Sequence, residues 1–389
     1  MLEAPERVSS GNEAFEGHYN RAADLVSQRR FEDAVEAYRN SLALRPLDLV
    51  AHLNLGLVLQ TLERWEEAIA CYEAAAAIAP EFAETQVRLG TILSQRGDIT
   101  AALAAFRRAV TLDPFAARSH IQLAHALRSS GDLGGAEIGY RRALELDPEQ
   151  VEARAHLSTL LPQIGKSKDA EILLDYGLLL KTERIEHIEG WSTIEAFNND
   201  LARSIVAHPT LTRNPRAAAT EGGSQTLEIF NGDETSIQAL KSFVEQSVAN
   251  YLLTVAPEAR HIFVTPLPEA RSIHGWAVVL RAGGCQLPHF HPAAFVSGVY
   301  YVRVPETTKT CDLGENEPGF LKFGPPAENA PIATGDMMTA THSIRPQEGL
   351  IVLFASYFWH YTVPFEGDEE RISVAFDVVR CPGHGNSGE

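Results

Sequence analysis

The sequence predicts a multidomain α + β protein, in which an N-terminal α-solenoid of paired helices precedes a C-terminal jelly roll with flanking helices. Two observations carry this prediction. A proline recurs every 34 residues through the first half, and short β-rich runs divided by glycine and proline turns fill the second half. A third observation, the histidine pair His289-x-His291, indicates where the chemistry of the second half lies.

The 34-residue interval is visible in four sets of residues that share one register. They are the prolines (Pro46, Pro80, Pro114, Pro148), alanines (Ala34, Ala68, Ala102, Ala136, Ala170), aromatic residues (Tyr38, Tyr72, Phe106, Tyr140) and leucines (Leu25, Leu59, Leu93, Leu127, Leu161). Each unit predicts two amphipathic helices that cross at small residues, with an aromatic ring in the adjoining gap and a proline after the second helix. The pattern resembles the tetratricopeptide repeat. About five repeats are expected at 15–184, after an N-terminal tail at 1–14.

Stacked repeats of this kind form a superhelix whose concave face commonly binds a peptide or protein. The repeating leucines, alanines and aromatic residues are expected to be core residues. The candidate ligand contacts are polar residues of the first helices, namely Asn54, Gln86, Arg88 and Gln122.

Composition disfavours several other classes of protein. With 51 acidic against 33 basic residues, the formal charge of -18 repels nucleic acid and anionic membranes. We find neither an apolar run long enough to span a bilayer nor the basic-then-apolar pattern of a signal peptide. The four cysteines are scattered without a CxxC pair, which argues against a disulfide framework. We therefore expect a cytoplasmic protein.

A connecting region is predicted at 185–225, where the repeat period ends. Its glycine-rich segment 221–224 predicts a flexible joint before a strand at 226–230, and apolar residues at helical spacing predict a helix at 236–255. Further strands are predicted at 262–265, 276–281, 295–304, 320–323, 349–354 and 372–379. They define a β domain at 226–380, followed by a C-terminal tail at 381–389.

Three histidines in this domain form a candidate metal site. Side chains at i and i+2 leave a strand on the same face, so His289 and His291 can bind one ion. His360 ends an apolar run that is expected to hold a third ligand on a strand. Phe290, Trp359 and Tyr361 are expected to line the opening of the site.

The last predicted strand begins with two residues that are suited to bind a carboxylate. Arg371 and Ser373 share one face of the strand, where a guanidinium and a hydroxyl group can bind a carboxylate. The alternative for Arg371 is a surface ion pair with Asp368 or Glu369.

Together these segments resemble the 2-oxoglutarate/Fe(II)-dependent oxygenases, and most of all the bacterial and phage "putative 2OG-Fe(II) oxygenase" group, which is related to the prolyl hydroxylases. The resemblance covers about residues 190–380 and depends on the segments 283–291, 297–302, 354–360 and 370–376. It implies a double-stranded β-helix, Fe(II) as the metal, 2-oxoglutarate as cosubstrate, and O₂.

The resemblance also assigns residues. It implies that Arg371, with Ser373, binds the distal carboxylate of 2-oxoglutarate, and that Tyr301 is a further cosubstrate contact. No catalytic residue is expected beyond the metal and cosubstrate ligands.

His289 and His360 are the two histidine ligands that the resemblance implies. The usual facial triad contains a carboxylate, and this sequence has His291 in its place, with Ala355 where a proline commonly precedes the serine. His291 is therefore either a third metal ligand or a neighbour of a two-histidine site. The second arrangement is that of the aspartyl/asparaginyl hydroxylases, which also join tetratricopeptide repeats to an oxygenase domain.

The leading hypothesis is an Fe(II)/2-oxoglutarate-dependent dioxygenase that hydroxylates a side chain of a peptide or protein bound by the repeats. One alternative is a non-catalytic repeat scaffold with a degenerate oxygenase-like domain. Another is a three-histidine metalloenzyme that does not use 2-oxoglutarate.

Overall fold

The computed structural model describes residues 6–215, 218–255, 259, 271–311, 317–324 and 342–381, with side chains from residue 12 onward. The predicted strand at 262–265 lies outside the described residues. Packing divides the chain into two compact units, Met1–Asp147 and Pro148–Glu389. Within the described part of the chain, no helix is long and apolar enough to cross a membrane.

The described part of the first unit consists of four helix pairs that follow the predicted period. They are α1 (Glu6–Ser27) with α2 (Phe31–Leu44), α3 (Leu49–Thr61) with α4 (Trp65–Ile78), α5 (Ala83–Gln95) with α6 (Ile99–Leu112), and α7 (Ala117–Ser129) with α8 (Leu133–Leu146). The second helix of each pair ends two residues before one of the repeating prolines. Proline lacks the N–H that would continue a helix, which explains this common end point.

Glycines at the helix crossings leave room for the aromatic rings. A Cβ atom at Gly56 would lie 2.5 Å from the ring of Tyr72, and one at Gly90 would lie 2.6 Å from the ring of Phe106. Both distances are well inside van der Waals contact. The alternation of small and aromatic residues in the sequence therefore reflects direct contacts between the paired helices.

The polar residues predicted as peptide contacts differ in their exposure. Gln86 is only 4 % exposed, so the prediction that it contacts a ligand is wrong. Asn54 donates its amide N–H to the hydroxyl oxygen of Tyr19 at 2.8 Å. Arg88 forms an ion pair within its own helix, and Gln122 is half-buried.

The second unit opens with short helices and continues into the β domain. Its helical elements are α9 (Val151–Leu160), a 3₁₀ turn (Pro162–Ile164), α10 (Ser167–Leu173), α11 (Tyr176–Leu179), α12 (Ile194–Val206), α13 (Thr235–Val255) and α14 (Glu306–Thr310). Val151 and Ala155 of α9 belong to the same hydrophobic core as the strands. Packing therefore groups the predicted fifth repeat with the β domain, whereas the period alone extends the repeats to residue 184.

The described strands form two antiparallel sheets. They are β1 (Leu180–Arg184), β2 (Thr212–Arg213), β3 (Thr220–Gln225), β4 (Arg271–Gln286), β5 (Val296–Arg303), β6 (Leu321–Phe323), β7 (His342–Ile344), β8 (Leu350–Ala355), β9 (His360–Thr362) and β10 (Arg371–Arg380). The larger sheet has the order β1-β8-β5-β10-β4-β3-β2, and the smaller one has the order β7-β6-β9. The predicted fold class, a helical solenoid followed by an antiparallel jelly-roll domain, is confirmed.

The segment before α13 differs from its prediction. Residues 221–224 belong to β3, which pairs with β4, so the prediction of a flexible joint is wrong. A register shift near Gly222, which has a φ of +64°, lets the glycines enter the ladder as a β-bulge. No strand forms at 226–230, where the carboxylate of Glu228 accepts a hydrogen bond from the backbone N–H of Gly275 at 3.1 Å.

Candidate metal centre

Main-chain hydrogen bonds bring the three predicted histidines together. His289 and His360 form a backbone pair, in which each N–H donates to the carbonyl oxygen of the other, at 3.0 and 2.9 Å. The N–H of His291 donates to the carbonyl oxygen of Ser356 at 3.0 Å. The positions of the rings are therefore fixed by the backbone of the loop after β4 and the start of β9.

The side-chain nitrogens of the three histidines converge within the reach of one ion. A ligand nitrogen from each ring lies within 4.8 Å of those from the other two. The Nε2 atoms of His291 and His360 are 3.3 Å apart. Two nitrogens that bind one ion at about 2.0–2.1 Å are separated by about 3.0–3.4 Å, depending on the coordination angle. The observed separation therefore fits two ligands of a single ion.

The hydrogen bonds of the Nδ1 atoms determine which nitrogen of each ring is free. The acceptors are the carbonyl oxygen of Leu287 for His289 (2.6 Å), the carbonyl oxygen of Phe358 for His360 (2.9 Å) and the carboxylate of Asp377 for His291 (2.9 Å). Because an oxygen acceptor requires a proton on Nδ1, the lone pair of each neutral ring resides on Nε2. This is the tautomer in which metal-binding histidines are commonly held.

Burial favours the neutral form of two of the rings. It lowers the pKa of His289 to about 4, and the adjacent His291 lowers that pKa further. It also lowers the pKa of His360 well below its usual value, with additional contributions from the other two histidines. Two Nε2 lone pairs at 3.3 Å repel each other unless a cation, either a metal ion or a proton, lies between them.

Arg371 is buried without a carboxylate partner in the described part of the chain. It is 1 % exposed, and Nη1 donates to the hydroxyl oxygen of Ser373 at 3.5 Å. The guanidinium carbon lies 5.0 Å from the ring centre of Tyr301. Neither Nε of Arg371 nor the hydroxyl group of Tyr301 forms a well-aligned hydrogen bond among the described residues, although the two side chains interact with each other. Among the described residues, Arg371 forms no ion pair with Asp368 or Glu369. The alternative that it forms a surface ion pair is therefore wrong.

A buried guanidinium in this situation is costly. Moving a charged group from water into a protein interior costs on the order of several kcal/mol, even after the surroundings have relaxed. Burial accordingly lowers the pKa of Arg371. A carboxylate ligand that reaches this group would offset the penalty.

The histidines and the arginine border the same space. His289, His291, His360, Tyr301 and Arg371 all line one cavity of about 20 Å³. This volume corresponds to about one water molecule.

The aromatic residues predicted at the opening lie elsewhere. Phe290 and Trp359 pack edge to face against each other at 4.9 Å and contact His156 of α9, and they do not line the cavity. Tyr361 is also absent from its lining. The aromatic residues that do border the cavity, besides the histidines, are Tyr301, Phe354 and Trp276, and the ring of Trp276 stacks on His291 at 5.7 Å.

Asp377 is a site residue that sequence reasoning missed. Its carboxylate accepts hydrogen bonds from Nδ1 of His291 at 2.9 Å and from the hydroxyl group of Ser297 at 2.6 Å. Asp377 has the same strand parity as Arg371 and Ser373 on β10. An acidic residue on the face that already carries the candidate acid-binding groups is the signal that could have identified it.

Family models match both halves of the chain. Residues 274–377 match a family described as "Putative 2OG-Fe(II) oxygenase". Residues 47–114 and 87–177 match two models described as "Tetratricopeptide repeat". None of the curated proteins searched matches the chain.

Solved structures similar to the chain include MamA from Desulfovibrio magneticus RS-1, with 18 % identity, a TM-score of 0.39, and coverage of 42 % of this chain and 92 % of that one. YrrB, a TPR protein with an unusual peptide-binding site, has 24 % identity, a TM-score of 0.37, and coverage of 44 % and 89 %. PilF of Pseudomonas aeruginosa has 18 % identity, a TM-score of 0.38, and coverage of 51 % and 86 %.

The matches and the predicted motifs agree in position. The oxygenase match begins in β4 and ends in β10, so it contains the three histidines and Arg371. The chain thus joins tetratricopeptide repeats at 47–177 to a domain of the putative 2OG-Fe(II) oxygenase family at 274–377.

Proposed function

We propose that the C-terminal domain is an Fe(II)- and 2-oxoglutarate-dependent dioxygenase that hydroxylates a side chain of a peptide or protein recruited by the repeats. The observation that carries the proposal is the convergence of a ring nitrogen from each of three histidines and a buried guanidinium on one cavity. The histidine nitrogens are suited to bind a metal cation, and the guanidinium is suited to bind a carboxylate.

The metal ligands in this proposal are His289, His291 and His360. Imidazole nitrogen suits Fe(II) as well as zinc, copper and nickel, and each ring has its metal-binding nitrogen free of a proton. Three protein ligands leave coordination positions for the cosubstrate. The loaded centre would supply oxidative decarboxylation of 2-oxoglutarate to succinate and CO₂, coupled to hydroxylation of a substrate C–H bond.

Arg371, Ser373 and Tyr301 would bind the distal carboxylate of 2-oxoglutarate. A planar guanidinium can donate two parallel hydrogen bonds to a carboxylate, and such charge-assisted bonds are about twice as strong as neutral ones. Among the residues that line this cavity, Nε of Arg371 and the hydroxyl group of Tyr301 are buried polar atoms with unused hydrogen-bonding capacity. Binding of the acid would therefore satisfy groups that folding has already desolvated.

The small volume of the cavity bears on how the acid enters. A space of about 20 Å³ does not hold a five-carbon dicarboxylate, so side chains at its border must move. Trp276 and Gln286 are the half-buried residues of the lining on β4, and their displacement would enlarge the cavity.

The same observation favours a second candidate function. A three-histidine metal centre in a space this small could act without 2-oxoglutarate, with the open coordination positions given to water or a small substrate. Under this alternative the carboxylate-binding role of Arg371 disappears, whereas the metal remains.

Succinate formation tests the leading proposal. The full chain is incubated with Fe(II), 2-oxoglutarate and O₂, and succinate is quantified beside a peptide product that is about 16 Da heavier, the mass of one inserted oxygen. We expect His360→Ala and Arg371→Ala to abolish both signals. His274→Ala is the control, because that imidazole pairs with Glu228 at 3.0 Å away from the cavity. Retained turnover in both site variants would contradict the proposal.

Other outcomes separate the alternatives. A chain that binds one metal ion but no 2-oxoglutarate would favour the second candidate, and a chain that binds neither would favour a non-catalytic scaffold. The substrate is sought by co-purification with the His360→Ala variant, followed by mass spectrometry of the retained peptides.

A further inference from the structure

We infer that Asp377 is a positioning residue for the metal site, because it orients His291 as the third ligand and supplies the negative charge that the three histidines lack. This inference rests on the proposed function, in which the histidines hold a divalent metal ion.

Asp377 lies where β10 passes between β4 and β5, and its cross-strand neighbours are His274 and Ser297. Its side chain is 16 % exposed. Oδ1 accepts from the hydroxyl group of Ser297 at 2.6 Å, and Nδ1 of His291 lies 2.9 Å from both carboxylate oxygens. The carboxylate is thereby fixed, and the ring of His291 is held with Nε2 directed toward His360.

The acceptor behind His291 differs from those behind the other two rings. His289 and His360 donate Nδ1–H to backbone carbonyl groups, which carry no net charge. Only His291 donates to an anion. A carboxylate that accepts from a ligand histidine makes the imidazole more basic and fixes its tautomer. His291 is thus the ring whose metal affinity depends on a charged neighbour.

The identity of residue 291 explains why this charge is needed. A facial triad has two histidines and one carboxylate, so its ligands bring one negative charge to a divalent ion. Three neutral imidazoles bring none. Asp377 restores one negative charge to the site from behind His291, so the carboxylate acts through the ligand ring instead of binding the metal itself.

A purely structural role for Asp377 predicts a different result. If the carboxylate only joins β10 to its neighbours through Ser297, its removal would lower stability and leave metal affinity unchanged in the folded protein. Metal affinity and the absorption spectrum of the Co(II)-loaded protein are therefore the readouts, because they report on the ligands and not on strand packing.

The first experiment titrates Co(II) into the chelator-treated full chain. For Asp377→Asn we expect a Kd raised about 10- to 100-fold, the range found when such outer partners are removed, and a changed Co(II) spectrum. Ser297→Ala keeps the charge and the contact with His291 but removes one hydrogen bond to the carboxylate, so a smaller rise of about fivefold is expected. Asp368→Asn, at an exposed position before β10, is the matched control and should leave Kd unchanged.

The second experiment removes the ring that Asp377 holds. In a His291→Asp variant there is no Nδ1–H for the carboxylate of Asp377 to accept, so its role in positioning residue 291 is lost. Adding Asp377→Asn to His291→Asp should therefore raise the Co(II) Kd by much less than the same change does in the wild-type background. A loss of similar size in both backgrounds, or no change in either, would overturn the inference.

Further variants keep this inference separate from the proposed function. If His289→Ala and His360→Ala leave Co(II) affinity unchanged, the metal site lies elsewhere and the proposed function fails. If they abolish binding while Asp377→Asn has wild-type affinity and spectrum, only the role of Asp377 is refuted. Should Asp377→Asn fail to fold, as judged by near-UV circular dichroism, wild-type affinity in Ser297→Ala would count against the inference.

Discussion

Tyr300 and Tyr301 are consecutive residues of β5, yet only one of their hydroxyl groups forms a well-aligned hydrogen bond in the described part of the chain. Tyr300 donates to the side-chain oxygen of Asn198 on α12 at 2.6 Å. The hydroxyl group of Tyr301 forms no well-aligned hydrogen bond and lies on the opposite face of the strand, where Tyr301 and Arg371 interact with each other. One tyrosine therefore serves the packing of a helix on the sheet, and the other is available to a ligand.

Phenylalanine substitutions should separate these roles. We expect Tyr300→Phe to lower the free energy of unfolding by about 1–3 kcal/mol, because the buried amide of Asn198 loses its partner. Tyr301→Phe should change stability by less than about 0.5 kcal/mol and weaken 2-oxoglutarate binding. Chemical denaturation and calorimetric titration measure the two effects. Equal losses of stability in both variants would show that Tyr301 is only a packing residue.

Replacing Arg371 by a hydrophobic residue should stabilise the ligand-free protein. Buried charges without partners oppose folding, and replacing buried ionic groups by apolar ones of similar size has stabilised proteins by about 1–4 kcal/mol. We predict that Arg371→Met raises the unfolding midpoint while it abolishes the stabilisation produced by added 2-oxoglutarate. Arg281→Met is the control, since this exposed residue pairs with Glu370 at 3.0 Å and contributes little. A lower midpoint for Arg371→Met without ligand would contradict the account.

The turns between paired helices use a left-handed residue at one repeating position. Gly97 and Gly131 have φ values of +86° and +87°, and Arg29 and Glu63 occupy the same position in earlier repeats with φ of 59° and 57°. Gly97→Ala should cost about 1–2 kcal/mol, because a Cβ atom is unfavourable in this region although space is free. Gly134→Ala, in open space on helix α8, should instead stabilise by about 0.5–1 kcal/mol.

Thermal unfolding followed by circular dichroism compares these two glycine variants. Shifts of opposite sign are expected. If both variants shift the unfolding midpoint in the same direction, the left-handed backbone at Gly97 does not explain the effect of Gly97→Ala on stability.

If the repeats bind the protein substrate, substitutions on their first helices should raise the KM for that substrate. Of the polar residues predicted on the first helices, Arg88 and Gln122 remain accessible enough to contact a substrate. We predict that Arg88→Ala and Gln122→Ala raise KM for the protein substrate and leave kcat unchanged, because they remove binding that is equal in the ground and transition states. Steady-state kinetics with the full substrate and with a short peptide makes the comparison. A fall in kcat at constant KM would assign these residues another role.

Local patterns predicted most of the fold because the same contacts recur. Gly56 and Gly90 repeat since each must accommodate a ring from its partner helix. Strand parity predicted that His289 and His291 lie together, and they do, although both belong to the loop after β4 and only His289 forms an isolated β-bridge.

The features that the sequence did not predict depend on distant partners. The glycines at 222–223 suggested flexibility, and it is the pairing of β3 with β4 on one side and β2 on the other that orders them. Gln86 is polar, and its burial is set by how neighbouring helices stack. Asp377 lies 86 residues from His291, so nothing in its local sequence reveals that contact. The convergence of the three histidines was thus predictable from spacing, whereas the groups behind the site required the tertiary structure.

Metal-dependent binding of 2-oxoglutarate tests the central claim most directly. Anaerobic calorimetry on the full chain should give one Fe(II) per chain, followed by one 2-oxoglutarate that binds only after the metal. We expect His360→Ala to lose both events and Arg371→Met to lose only the second. Binding of Fe(II) without 2-oxoglutarate in the wild-type protein, or 2-oxoglutarate binding that persists in Arg371→Met, would contradict the account.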